Sequence, residues 1–252
     1  MGRPSTTPSP WIWRSGAYAG EFGDAFVRNT NLEGGCIGPS IRTLVDVFGD
    51  VLNEADKENR PKWDRDLSLF TLKEERDIVT KIFGYLKDAA EFDTLARSTT
   101  TAAGFFVLVS KLLSDFESMS VGEYKVMAGG WVSPSGGHAV LYVIEKQGKD
   151  VYSFIVCNTG DGANWHPADG SDYPKEKRVT AIRIPDIPAH RFLDDAVWYL
   201  ILKLAITKHK SHTPSQLYEV ILPHLAGTPS LDAILRRGIE TGECGDFETV
   251  QR

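Results

Sequence analysis

Three side chains at separated positions form a set that could break an acyl bond: Cys36 in "NLEGGCIGPS", His138 in "SGGHAVLYV" and Asn158 in "FIVCNTGDG". Glycines precede Cys36 and an amphipathic pattern follows it, so its thiol is expected at a helix N-terminus. The positive end of the helix dipole lowers a thiol's pKa there and favours the nucleophilic thiolate. Thiol catalysis also needs a base, a group that orients the base, and donors for the oxyanion. His138 opens one predicted strand and Asn158 ends the next. If the two strands are antiparallel neighbours, both side chains reach one end of the sheet. An asparagine oxygen then accepts the proton on one imidazole nitrogen and fixes the tautomer. Asp161, in the same turn, is the rival orienter, and the sequence leaves that choice open.

The elements that must position these residues follow from periodicity. From Ile37 onward, Ile41, Leu44, Val45, Phe48 and Leu52 fall on one helical face. Pro39 is tolerated in a first turn, where backbone donors are unpaired anyway. Helices are expected over Leu72 to Phe92 and Ala102 to Phe116, after a charged loop, "NEADKENRPKWDRD". Beyond Val121 come β-rich runs, "EYKVMAGGW", "HAVLYVIEKQ", "DVYSFIVCN" and "KRVTAIRIP", with "KQGKD" as a hairpin turn. Helical patterns return over Arg191 to Lys208, Ser215 to Leu225 and Leu231 to Glu240. Helices, then an antiparallel sheet, then helices make an α+β layout. The Pro/Ser/Thr-rich residues 1–12 read as a disordered lead-in, and 13–252 as a single catalytic domain.

Cysteine at a helix start, histidine on a strand and Asn or Asp after the next strand is the order found in papain-like cysteine proteases. That resemblance implies their fold, a helical part packed on an antiparallel sheet. More narrowly, "NLEGGC" resembles the cysteine box of ubiquitin-specific proteases, "SGGHAVLYV" their histidine box, and "YSFIVCNTGDG" their closing strand. The likeness implies that Asn31, five residues before Cys36, donates to the oxyanion beside the Cys36 backbone N–H. It further implies a deubiquitinase-like peptidase or isopeptidase acting through an acyl-thioester, with no cofactor. The partner would be ubiquitin or a ubiquitin-like protein whose Gly-Gly tail threads a narrow channel. Gly34, Gly35, Gly136 and Gly137 would line that channel and Trp131 would wall it. The departures are Gly35 where the family has threonine, "IGPS" after the cysteine, a short cysteine-to-histidine span, and no zinc-binding insertion with CxxC pairs. Acyl transfer on the same apparatus, transglutaminase-like, is the rival activity. A catalytically inactive interaction module, using a helical surface between Arg191 and Leu225, is the rival from another class.

Bulk properties narrow the field. The 252 residues are 42% hydrophobic and 25% charged, ordinary for a globular chain with a substantial core. A net charge of -6 without a basic stripe argues against a nucleic-acid partner. The most apolar segment, "AVWYLILKLAI", contains Lys203 and falls short of the about 20 residues a bilayer span takes, so no membrane partner is expected. Three cysteines without metal-ligand spacing form no disulfide framework. That fits a reducing, cytoplasmic compartment, or a host cytosol if the chain is a secreted effector. Cys157 and Cys244 read as small hydrophobes. His166, the second choice of base, reads as part of a packed turn before Pro167, and His190, His209, His212 and His224 as surface or cap residues. Trp131 carries a second reading, packing on the core. "NTGDGANW" lacks the Lys-Ser/Thr ending of a phosphate loop, and the acidic spacing that follows does not fit a calcium hand. No metal site is expected.

Overall fold

The computed structural model describes residues 41, 42, 45, 49, 73–168, 177–240 and 249–251. Its helices are α1 (Lys73–Ser98), α2 (Ala102–Ser118), α3 (Ala189–Phe192), α4 (Asp195–Ile206), α5 (Leu222–Ala226) and α6 (Leu231–Glu240). Its strands are β1 (Tyr124–Ser133), β2 (Gly136–Gly148), β3 (Val151–Cys157), β4 (Lys177–Val179), β5 (Ala181–Pro188) and β6 (Thr249–Gln251). The protein is α+β, with an open antiparallel sheet in the order β1-β2-β3-β5 and a separate β4-β6 ribbon. The "KQGKD" turn joins β2 to β3 as the sequence suggests, and "KRVTAIRIP" divides at Thr180 between the two sheets.

Local chemistry explains where helices start and break. Thr101 caps α2, its hydroxyl accepting from Gly104 N–H at 3.1 Å. The run expected as one helix from Arg191 to Lys208 is two, α3 and α4. Asp194 turns out of helical geometry and caps α4 by accepting from Ala196 N–H at 2.9 Å. In the next segment Pro223 has no N–H to give. The turn before it, Gln216–Ile221, is π-helical, and Leu222 N–H reaches back five residues to the Leu217 carbonyl.

From Val140 to Lys146, β2 alternates between buried and half-buried residues, since successive side chains point to opposite faces. Val140, Tyr142 and Ile144 of β2 enter the main core with Phe154 of β3, Leu112 and Phe116 of α2, Trp198 of α4 and Leu217 of the π turn. Aromatic contacts dominate it: Phe116 lies 4.6 Å from Trp198, and Tyr152 stacks on Phe192 at 4.3 Å. Lys146, 8% exposed, donates to the Glu117 carbonyl at 2.7 Å and so ties β2 to the end of α2. On the other face a smaller core joins Ile41 to Leu86, Ala89 and Ala90 of α1, with Val45, Val126, Ala128 and Leu141 packed against it. Ile41 and Val45 are helical, as expected of the segment after Cys36. Residues 1–12, the charged loop at 53–66 and the other apolar positions of that helix, Leu44, Phe48 and Leu52, lie outside the described residues.

Candidate active site

His138 and Asn158 meet because of strand register. β1 and β2 pair Trp131 with His138, and β2 and β3 pair Leu141 with Cys157. Asn158 therefore leaves the end of β3 beside the segment of β2 that carries His138. There its backbone N–H donates to the Thr180 carbonyl at 2.8 Å, and the chain enters the turn Thr159-Gly160-Asp161-Gly162.

The Asn158 side chain is 2% exposed and fully committed. Its Oδ1 accepts from Gly160 N–H at 2.9 Å and lies 2.8 Å from His138 Nε2. Its Nδ2 donates to the Asp161 carbonyl at 2.7 Å and to the Tyr218 hydroxyl at 3.0 Å. A backbone N–H can only donate and a carbonyl can only accept, so these two contacts show which end of the amide is the oxygen. Nε2 of His138 must then carry the hydrogen. Nδ1 bonds no described residue. Asp161 is no orienter in this arrangement: its carboxylate accepts from Gly162 N–H at 3.0 Å, and it meets Asn158 through its carbonyl.

The imidazole sits in a fitted seat. Trp131, 3% exposed, lies with its ring 5.4 Å from His138 and edge-on to Tyr218 at 6.4 Å. Of its two sequence readings, packing is what these contacts describe, and Trp131 belongs to the main core. Gly160 also stands against the ring, where a Cβ would come within 2.2 Å of His138 Cε1. Gly162 has φ +76, and a Cβ there would press on the Trp131 ring at 2.8 Å. Gly136 is exposed with φ +144 and open space beside it, whereas a Cβ on Gly137 would strike the Trp131 carbonyl at 2.5 Å. Cys36, Asn31, Gly34 and Gly35 lie outside the described residues, as does Cys244.

The other candidates fall into place. His166 is 1% exposed and has both ring nitrogens bonded, Nδ1 to the Val179 carbonyl and Nε2 to the Tyr218 hydroxyl, which suits a packed turn. Burial pushes the Cys157 thiol above its usual range, the behaviour of an inert cysteine. His190, His209 and His224 are exposed. His212 is the correction: it is 6% exposed, and burial lowers its pKa. Sequence reasoning missed Gly160 and Tyr218. The glycine pair of "NTGDG" was a legible hint of close approach, while nothing local marks Tyr218, sixty residues away from Asn158.

Among the described residues, no group of three or more His, Cys, Asp or Glu side chains is arranged to hold a metal ion, and no helix is long and apolar enough to cross a membrane. Comparison with protein-family models, curated proteins and solved structures gives no match.

Proposed function

We propose that the protein is a thiol-dependent hydrolase of papain-like architecture, a deubiquitinase-like cysteine peptidase or isopeptidase. The observation that carries this reading is the bond between His138 Nε2 and Asn158 Oδ1, which occupies one ring nitrogen and leaves Nδ1 to face a thiol. An imidazole held in that way is prepared to take a thiol's proton and later to return it to a leaving amine. Cys36 is the nucleophile in this scheme. Its thiolate attacks the carbonyl, the amine leaves with the proton from His138, and water taken up by the same base hydrolyses the thioester. The Cys36 N–H and Asn31 stabilise the oxyanion.

Ile41 belongs to a small core against which Val45 and Leu141 pack, and Leu141 stands three residues along β2 from His138. By strand alternation Leu141 and His138 face opposite sides of the sheet. The described residues that follow Cys36 in the sequence therefore pack on the strand that carries the proposed base.

Ubiquitin bearing a C-terminal electrophile tests the reading directly. The expected product is one adduct, mapped by mass to Cys36 and absent in Cys36→Ala. Adduct on Cys157 or Cys244, or none while a small alkylating agent labels Cys36 readily, removes the deubiquitinase assignment. Amide exchange outrunning hydrolysis with an added amine would favour the acyltransferase.

A further inference from the structure

We infer that Tyr218 is a positioning residue: backed by His166, it holds the Asn158 amide in the orientation that keeps the His138 proton on Nε2 and leaves Nδ1 as base. The consequence for catalysis rests on the peptidase reading; the effect on the imidazole does not.

With His166 neutral, the directions of the hydrogen bonds follow one by one. The Val179 carbonyl, 2.8 Å from His166 Nδ1, can only accept, so Nδ1 carries the hydrogen and Nε2 of the neutral ring is an acceptor. The Tyr218 hydroxyl, 2.9 Å from that Nε2, therefore donates to it. Its oxygen is left to accept from Asn158 Nδ2, at 3.0 Å. The amide oxygen then faces His138 at 2.8 Å. Two histidines are joined through one tyrosine and one asparagine, and a backbone carbonyl sets the sense of the chain.

Gly160 and Asp161 also bond the amide, but they belong to its own turn and move with it. Among the described residues, Tyr218 ties Asn158 to the helical layer. It is held accordingly: fully buried, stacked on Trp165 at 5.7 Å, and edge-on to Trp131 and His166. It also rides on the π-helical turn, a rare geometry that is frequent at functional sites. A phenylalanine at 218 would fill the same cage yet remove the hydroxyl that bonds both the Asn158 amide and His166 Nε2.

The test is nitrogen NMR of His138 together with steady-state cleavage of a ubiquitin C-terminal fluorogenic amide. The full chain is compared with Tyr218→Phe, His166→Gln and His166→Leu. The parent is expected to show His138 protonated at Nε2 alone. In Tyr218→Phe the tautomers should mix, with kcat lower by about tenfold, the size of one neutral hydrogen bond, and KM unchanged. Glutamine carries a donor group at one end of its amide and an acceptor at the other, as neutral imidazole does across its ring, so His166→Gln should keep the parental tautomer while His166→Leu loses it. A Tyr218→Phe protein with the parental tautomer and kcat overturns the inference. So does a His166→Leu protein that behaves as His166→Gln does, and this comparison decides the matter if Tyr218→Phe fails to fold. Mixed tautomers in a chain without thiol-dependent cleavage would uphold the positioning role and overturn the peptidase reading.

Discussion

Gly160→Ala adds one methyl group directly against the proposed base. The new Cβ would stand 2.2 Å from His138 Cε1, 2.8 Å from Nε2 and 3.2 Å from Nδ1. Carbon atoms in contact prefer about 3.5–4.0 Å, so the ring and the turn must separate by more than about 1 Å. Retreat of the ring is limited by its hydrogen bond to buried Asn158 and by buried Trp131, 5.4 Å away. If the turn moves instead, Asn158 moves with it, and the 2.8 Å bond to Nε2 is lost either way. A misplacement of about 1 Å can cost roughly a hundredfold in rate, or about 2.7 kcal/mol of barrier. Overpacking should separately lower stability by about 1–3 kcal/mol. The φ of Gly160 lies outside the left-handed region, so alanine adds no backbone strain to confuse the result. Gly84→Ala is the control: on α1 its Cβ would meet nothing within 4 Å, and it should gain about 0.5–1 kcal/mol without touching activity. Hydrolysis of a ubiquitin C-terminal fluorogenic amide gives kcat and KM, and the His138 NMR signals report ring position without reference to turnover. A Gly160→Ala protein with parental kcat and unmoved His138 signals would refute the reasoning.

Asn158→Ala should cost stability as well as rate, because it strips a buried amide from four partners; a loss of about 1–3 kcal/mol in urea denaturation is expected, and an unchanged midpoint would contradict it. Alkylation at neutral pH should modify Cys36 far ahead of Cys157, whose burial holds it as the thiol; peptide mapping showing Cys157 modified first would reverse the assignment. Burial raises the hydroxyl pKa of Tyr142 and Tyr218, so the folded chain keeps protons that the unfolded chain loses above about pH 10. That stability is fully present below about pH 10 and is lost as pH rises, at up to about 1.4 kcal/mol per pH unit for each tyrosine; a urea midpoint that stays flat from neutral to pH 11 would refute it.

Much of the fold was legible because its periodicities are clean. The boundaries of α6 agree with the sequence reading, the β2–β3 hairpin turns at "KQGKD" as expected, and β2 begins two residues before the run read for it. The errors have local causes. Arg191 to Lys208 reads as one helix by hydrophobic period, but Asp194 is a better cap than an interior residue and divides it. Ser215 to Leu225 is helical with the wrong pitch, because a proline near its end removes a donor and pattern alone does not register a widened turn. His212 looks polar and exposed from composition, yet tertiary packing buries it.

The site was legible to the extent that its chemistry lies in residue type and strand order. His138 and Asn158 could be paired because adjacent antiparallel strands bring one's start to the other's end. What seats them could not be read this way, since glycine has several possible reasons to be present. Four glycines near the base answer to different constraints: Gly160 yields space to the imidazole, Gly162 takes a left-handed turn, Gly137 admits the β1 backbone, and Gly136 stands open with a left-handed φ. This division changes how a substrate channel must be probed. Valine at Gly137 would collide with the Trp131 carbonyl at 2.5 Å and disturb β1 whether or not a Gly-Gly tail passes there. Valine at Gly136 would strain a backbone that side chains rarely adopt. Neither enzyme variant separates a blocked channel from a damaged strand, so the informative change lies in the substrate. Bulk at the penultimate residue of the tail leaves the protein intact, and a narrow channel must respond to it with a severe loss of cleavage.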